Sequence, residues 1–129
     1  MNEEHLLIVE EDSPVYNIRH RAFYFSKSVI EFIKEIKYDR IYFSIFDQLL
    51  RSATSIGANL VEGTASVSTK DYLNYHAIAL KSANETKYWL SLVKETIPAS
   101  KEKIDELIKE ADEISKIVAA IIIKIKARQ

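Results

Sequence analysis

Apolar positions along this chain fall into four long runs with helical spacing. In the first, Ile18, Ala22, Phe25, Val29, Phe32 and Ile36 step by 4, 3, 4, 3 and 4. That alternation keeps them on one face of a helix. Tyr42, Phe46, Leu49, Ala53, Ile56 and Leu60 repeat it, and Tyr72, His76, Ala79 and Ala83 form a shorter third line. Ile104, Leu107, Ala111, Ile114, Val118, Ile121 and Ile125 make the fourth. Capping and breaking residues separate the runs. Ser13-Pro14 reads as N-cap and first helical residue, because the hydroxyl takes a free N–H and proline lacks one. The pattern lapses at Lys37-Tyr38-Asp39-Arg40, and Gly63 suits a C-terminal cap before the loop Thr64 to Ser68. Ser68 or Thr69 caps the third helix, with Asp71 at its positive end, and Ile97-Pro98 stops it near Glu95. Ser100 opens the fourth helix, whose C-terminal dipole suits Lys124, Lys126 and Arg128.

Helices of about 24 to 29 residues extend roughly 36 to 43 Å at 1.5 Å per residue. Loops of a few residues between such helices make neighbours antiparallel. The predicted fold is all-α, an antiparallel up-down-up-down four-helix bundle over residues 14–129. The apolar repeat implies left-handed crossings near 20°. Residues 1–13 form a separate acidic N-terminal arm, with five carboxylates, no Lys or Arg, and the apolar run Leu6 to Val9. They read either as a disordered tail or as an arm docking on a neighbour.

Composition agrees with one soluble domain. Of 129 residues, 47% are hydrophobic and 29% charged, with two Gly and two Pro. This is too apolar for disorder and too poor in turn formers for a many-stranded fold. A net charge of −1 gives no global attraction to nucleic acid or acidic membranes. The absence of cysteine excludes disulfide and thiol chemistry. The N-terminus has no basic region of a signal peptide. The run Ile117 to Ile123 falls short of the ~20 residues a membrane span needs. A cytoplasmic protein without a membrane role is expected.

The second helix carries an unusual polar line. Gln48, Ser52, Ser55, Asn59 and Glu62 run about 100° from its core line, while Phe43, Asp47, Leu50, Thr54, Gly57 and Val61 form the other flank. Few charges on a helix mean cover on several sides. Mid-helix Gly57 is tolerable where another backbone approaches. If the hairpin folds about residues 66 and 67, facing numbers sum to roughly 133. A polar seam of Arg51, Ser55, Asn59, Glu62, Ser82 and Glu85 is then expected. In it Arg51 pairs with Glu85, and Asn59 and Glu62 bond around the start of the third helix.

The run Asp47-Gln48-Leu49, Arg51, Ala53, Ser55-Ile56, Ala58-Asn59, Glu62-Gly63, followed by Ile78-Ala79-Leu80, Ser82 and Glu85, resembles the bacterial four-helix-bundle proteins found as reading frames inside 23S rRNA intervening sequences. The likeness is strongest over residues 46–90. Leu50 stands where a basic residue is common in that family, and Gly57 where proline is frequent. The resemblance implies a homopentameric ring of bundles, and kinship with a retroelement accessory protein that binds nucleic acid.

Catalytic and metal patterns are missing. His5, His20 and His76 lie in no Glu-x-x-His motif, and no glycine-rich phosphate loop is present. No serine is placed by the sequence against a histidine and an acid. The expectation is therefore a non-enzyme with no cofactor, metal or small-molecule substrate, and His76 as a hydrogen-bonded core or seam residue. Residues 14–40 carry six Lys or Arg against three acids. Arg19, Arg21, Lys27, Lys34, Lys124 and Arg128 are candidate contacts to RNA or DNA. They read equally as ordinary solvated faces. A ring would multiply such weak patches. The alternative is a protein–protein scaffold or accessory subunit, with Tyr16, Phe23, Tyr24, Tyr88 and Trp89 as association anchors.

Overall fold

Among the described residues, four α-helices form where the apolar periodicity lies: α1 (Pro14–Glu35), α2 (Phe43–Gly63), α3 (Thr69–Thr96) and α4 (Lys101–Lys126). The computed structural model describes residues 14–99 and 101–129, with side chains from residue 18 onward. The acidic arm and the expected caps Ser13 and Ser100 lie outside the described residues. Among the described residues there is no strand, and no helix is long and apolar enough to cross a membrane.

The predicted core lines become the core. Ile18, Ala22, Phe25, Val29 and Phe32 of α1 are buried with Phe46, Leu49, Ala53, Ile56 and Leu60 of α2. On α4, Ile104 through Ile121 of the predicted line are buried too. Ile36, Tyr42 and Ile125 pack against this cluster from its edges. The α3 line continues beyond Ala83 through Thr86, Leu90 and Val93, all buried. The hydroxyl within this run hides it from a purely apolar pattern. Burying a Leu or Ile side chain is worth about 1.5–3 kcal/mol, so these lines dominate the stability. Packing is most extensive between α2 and α3 and between α3 and α4, and least between α1 and α4.

Local chemistry explains the helix ends. Ser68 has an extended backbone, and its Oγ accepts a 3.1 Å bond from the Asp71 N–H, so Ser68 is the N-cap of α3. Ile97 at the other end is extended, as a residue before proline must be. Arg40–Tyr42 form a 3₁₀ turn, and α2 starts at Phe43. Gly63 differs from expectation. It is the last residue of α2 rather than a left-handed cap, and no glycine has positive φ. Its value is space: a Cβ there would lie 3.4 Å from Tyr75 Cβ and 3.6 Å from His76 Cε1. Gly57 faces α1 in the same way, with Ala22 Cβ 3.5 Å from an added Cβ.

Candidate functional site

The polar line of α2 divides. Ser52 is buried and Ser55 and Asn59 are half-buried, while Gln48 and Glu62 are exposed. Ser55 Oγ is the hub of a seam to α3. It accepts from Ser82 Oγ at 2.9 Å and from Asn59 Nδ2 at 2.9 Å. One turn away, Ser52 Oγ donates to the Leu49 carbonyl at 3.1 Å and lies 2.9 Å from Thr86 Oγ1. Thr86 carries one hydroxyl proton, with the Ser82 carbonyl also 2.7 Å away. Back-bonding to a carbonyl about one turn earlier satisfies the Ser52 and Thr86 hydroxyls locally. Small side chains then let α2 and α3 approach closely.

These pairs correct the expected register. Ser55 meets Ser82, and Ser52 meets Thr86, so facing numbers sum to 137 and 138 rather than 133. Gly63 lies against Tyr75 and His76, six residues and more into α3. At 1.5 Å per residue α3 therefore overshoots the end of α2 by about 9 Å. The loop climbs along the axis instead of folding over its own midpoint.

The shift rearranges the other seam residues. Arg51 pairs with Asp47 on its own helix, Nε to Oδ2 2.9 Å, and is 73% exposed. Glu85 accepts from Trp89 Nε1 at 3.4 Å. The expected Arg51–Glu85 pair is replaced by these two local contacts. Asn59 bonds back to the Ser55 carbonyl at 2.8 Å rather than to the start of α3. The Glu62 carboxylate makes no bond among the described residues.

The basic candidates also divide. Arg19 is only 5% exposed. Arg21 forms a fork with α4: Nε lies 3.1 Å from Glu110 Oε2, and Nη2 lies 2.7 Å from Glu113 Oε2. Both carboxylates bind its proton more firmly through hydrogen bonds, and they fill the fork a phosphate would use. Arg19 and Arg21 therefore leave the phosphate-contacting set. Lys27, Lys34, Lys124 and Arg128 are exposed and form no ion pair among the described residues. Lys27 Nζ sits 5.8 Å from the Tyr24 ring. The acidic face of α4 is compensated by α3, with Lys87–Asp112 at 3.0 Å and Lys94–Asp105 at 2.6 Å.

His76 is fully buried, and its ring stacks against Tyr72 at 4.2 Å. Its Nδ1 lies 2.9 Å from the Tyr72 carbonyl, so Nδ1 must carry the proton of the neutral ring. Burial pushes its pKa below the ordinary value, and the nearby Arg19 cation acts in the same direction. The groove between α1 and α4, about 410 Å³, is floored by Phe25 and Leu107, with Arg21 and Glu110 already paired at its rim. Among the described residues no group of three or more His, Asp or Glu is placed to hold a metal.

An apolar strip is the other surface feature. Phe43 is 57% exposed, and Leu50 and Val61 are exposed on the Gly57 side of α2, where α1 approaches. Ile30 of α1 is exposed, with Phe23 one helical repeat earlier half-buried. A second, smaller patch on α3 has Tyr88 exposed, with Trp89 edge-on at 5.1 Å. The Tyr16 side chain lies outside the described ones.

Comparison with known proteins agrees with this architecture. A family model described as 23S rRNA-intervening sequence protein matches residues 15–120. A crystal structure of a protein of unknown function from the S23 ribosomal protein family of Bacteroides thetaiotaomicron VPI-5482 is similar. It shares 34% identity at a TM-score of 0.75, covering 81% of this chain and 97% of that one. No curated protein matches. Neither description carries a catalytic activity. With a match spanning all four helices, the chain belongs to the 23S rRNA-intervening sequence protein family.

Proposed function

We propose that this protein is a non-enzymatic, cytoplasmic building block that assembles with copies of itself, as a ring of five in the state its resemblance implies. The bundle is read as antiparallel, up-down-up-down and left-handed. The opposed numbering of the Ser55–Ser82 and Ser52–Thr86 contacts, and of the Arg21–Glu110 and Glu35–Lys103 contacts, supports that direction. The observation that carries the assembly reading is the strip Ile30, Phe43, Leu50 and Val61. Exposed large apolar side chains grouped on one side of a helix mark association surfaces. Cover on that side also fits the low charge of α2, whose opposite flank is sealed by the Ser52–Thr86 seam. The test is the pair Ile30→Glu and Leu50→Glu, compared with the unaltered chain by sedimentation velocity. Loss of the larger species with helicity retained supports the reading. An unchanged sedimentation profile refutes it.

A second reading, RNA or DNA binding without sequence readout, is favoured by the uncompensated Lys27, Lys34, Lys124 and Arg128. Repeated around a ring, such weak sites gain avidity, and their binding falls steeply with salt. A gel-shift titration at increasing salt tests it. No shift at low salt would leave a pure protein scaffold.

A further inference from the structure

The apolar strip of α1 and α2 carries a positive rim. Lys27 and Lys34 stand three residues before and four after Ile30, on the same side of α1, and both are exposed. Neither forms an ion pair among the described residues. Glu31 lies about 100° round from Ile30, away from the side where Ser26 donates to the Ala53 carbonyl of α2. On α2 the Asp47 carboxylate, one turn from both Phe43 and Leu50, is already held by Arg51 at 2.9 Å. Strip against strip would therefore set lysines of two copies face to face. Their near-symmetric spacing about Ile30 makes this so whether the two α1 helices run parallel or antiparallel. Like charges facing each other across an interface oppose association. The strip is suited instead to an apolar surface with an acidic rim.

α3 has such a surface. Tyr88 is 61% exposed, Ile78 is exposed, and half-buried Trp89 stands edge-on to Tyr88. Tyr and Trp are favoured anchors of contacts between proteins. Glu85 lies one turn before Tyr88 and Glu95 two turns after it, both exposed and in no ion pair among the described residues. Lys81, the exposed cation on this side, offsets only part of that charge. Ile78, Glu85 and Trp89 lie four before, three after and seven after Ser82, so the patch opens towards the α2–α3 seam. Among the described residues, helix contacts run α1–α2, α2–α3, α3–α4 and α1–α4, with none across the diagonals. The helices thus stand at the corners of a square, with the strip and the patch on neighbouring sides that meet at α2. Faces inclined in this way make head-to-tail repetition turn and close into a small ring, whereas faces on opposite sides would give an open fibre.

We propose that the α1–α2 strip of one copy packs on Ile78, Tyr88 and Trp89 of the next, with its lysines set among the acids of α3. The contact is head-to-tail, so each copy offers two different faces and receives its two neighbours on different sides. The pairing of these faces rests on the assembly reading and adds to it the surface that the strip meets.

Two variants of the full chain, each altered on one face, test the pairing by sedimentation velocity: Leu50→Glu on the strip and Tyr88→Glu on the patch. Each alone sediments as the 14.8 kDa chain. Mixed in equal amounts they form a dimer of twice that mass, because the intact strip of the Tyr88→Glu chain meets the intact patch of the Leu50→Glu chain. The dimer grows no further, since its two outer faces are the altered ones. A Tyr88→Glu chain that keeps the mass of the unaltered assembly would overturn the proposal and leave the assembly reading standing. Two monomeric variants that stay monomeric when mixed would also overturn it. A Leu50→Glu chain that still assembles would instead remove the assembly reading, and the proposal with it. Circular dichroism monitors the fold of each variant. Where Tyr88→Glu loses helicity, Ile78→Glu takes its place, and Phe43→Glu stands in for Leu50→Glu in the same way.

Discussion

Ser82 Oγ donates to Ser55 Oγ across 2.9 Å, and this contact sets the register of α3 on α2. Ser55 also accepts from Asn59, so its two lone pairs are both used. Removing either serine hydroxyl should cost about 1 kcal/mol. Ser55→Ala with Ser82→Ala should cost less than the sum of the single changes, because they share one bond. Urea unfolding of the four proteins of that cycle checks it. Strict additivity would mean the contact contributes nothing.

Gly57 meets Ala22 across the α1–α2 interface, and an added Cβ stays at 3.5 Å or beyond. That is ordinary contact. Mid-helix glycine costs about 1 kcal/mol relative to alanine. Gly57→Ala should therefore raise stability by up to that amount, seen as a higher urea midpoint. Gly57→Leu should lower it, since the extra carbons enter α1.

How much of this was legible in the residues follows a physical division. The core lines were readable because burial imposes a period on every turn, from Ile18 to Phe32 and from Ile104 to Ile121. The register was not, because it depends on how a loop climbs, and Gly63 against Tyr75 is a contact between distant residues. Arg51 and Asn59 both took local partners one turn away, which cost less order than reaching another helix. The burial of Arg19 had a signal: it lies one turn before Ala22, beside Ile18 on the core line. The fate of Arg21 had one too. Glu110 and Glu113 are three apart on an acid-rich helix, ready to clasp one guanidinium.

Arg21 ties the least intimate helix pair together. Its side chain is about one-third exposed, so solvent screens the network. Arg21→Ala should lower stability by about 1 kcal/mol, with the loss reduced in high salt. Thermal melts at two ionic strengths check this. Affinity for nucleic acid should be unaffected, because the fork is already filled.

His76 makes stability depend on pH with a definite sign. Its pKa in the fold lies below the usual 6.5, so the unfolded chain protonates first as pH falls. Stability is thus full above 6.5 and is lost as pH drops from there towards the folded value. His76→Gln should flatten that part of the Tm–pH curve relative to the unaltered chain. An unchanged slope would place the acid sensitivity elsewhere.

Association through the α1–α2 strip is the centre of this account, and the mass of the unaltered protein in solution tests it most directly. Size-exclusion chromatography with light scattering should give a multiple of the 14.8 kDa chain mass, five-fold in the ring reading. A single 14.8 kDa species at micromolar concentration would contradict it, leaving Ile30, Phe43, Leu50 and Val61 facing water.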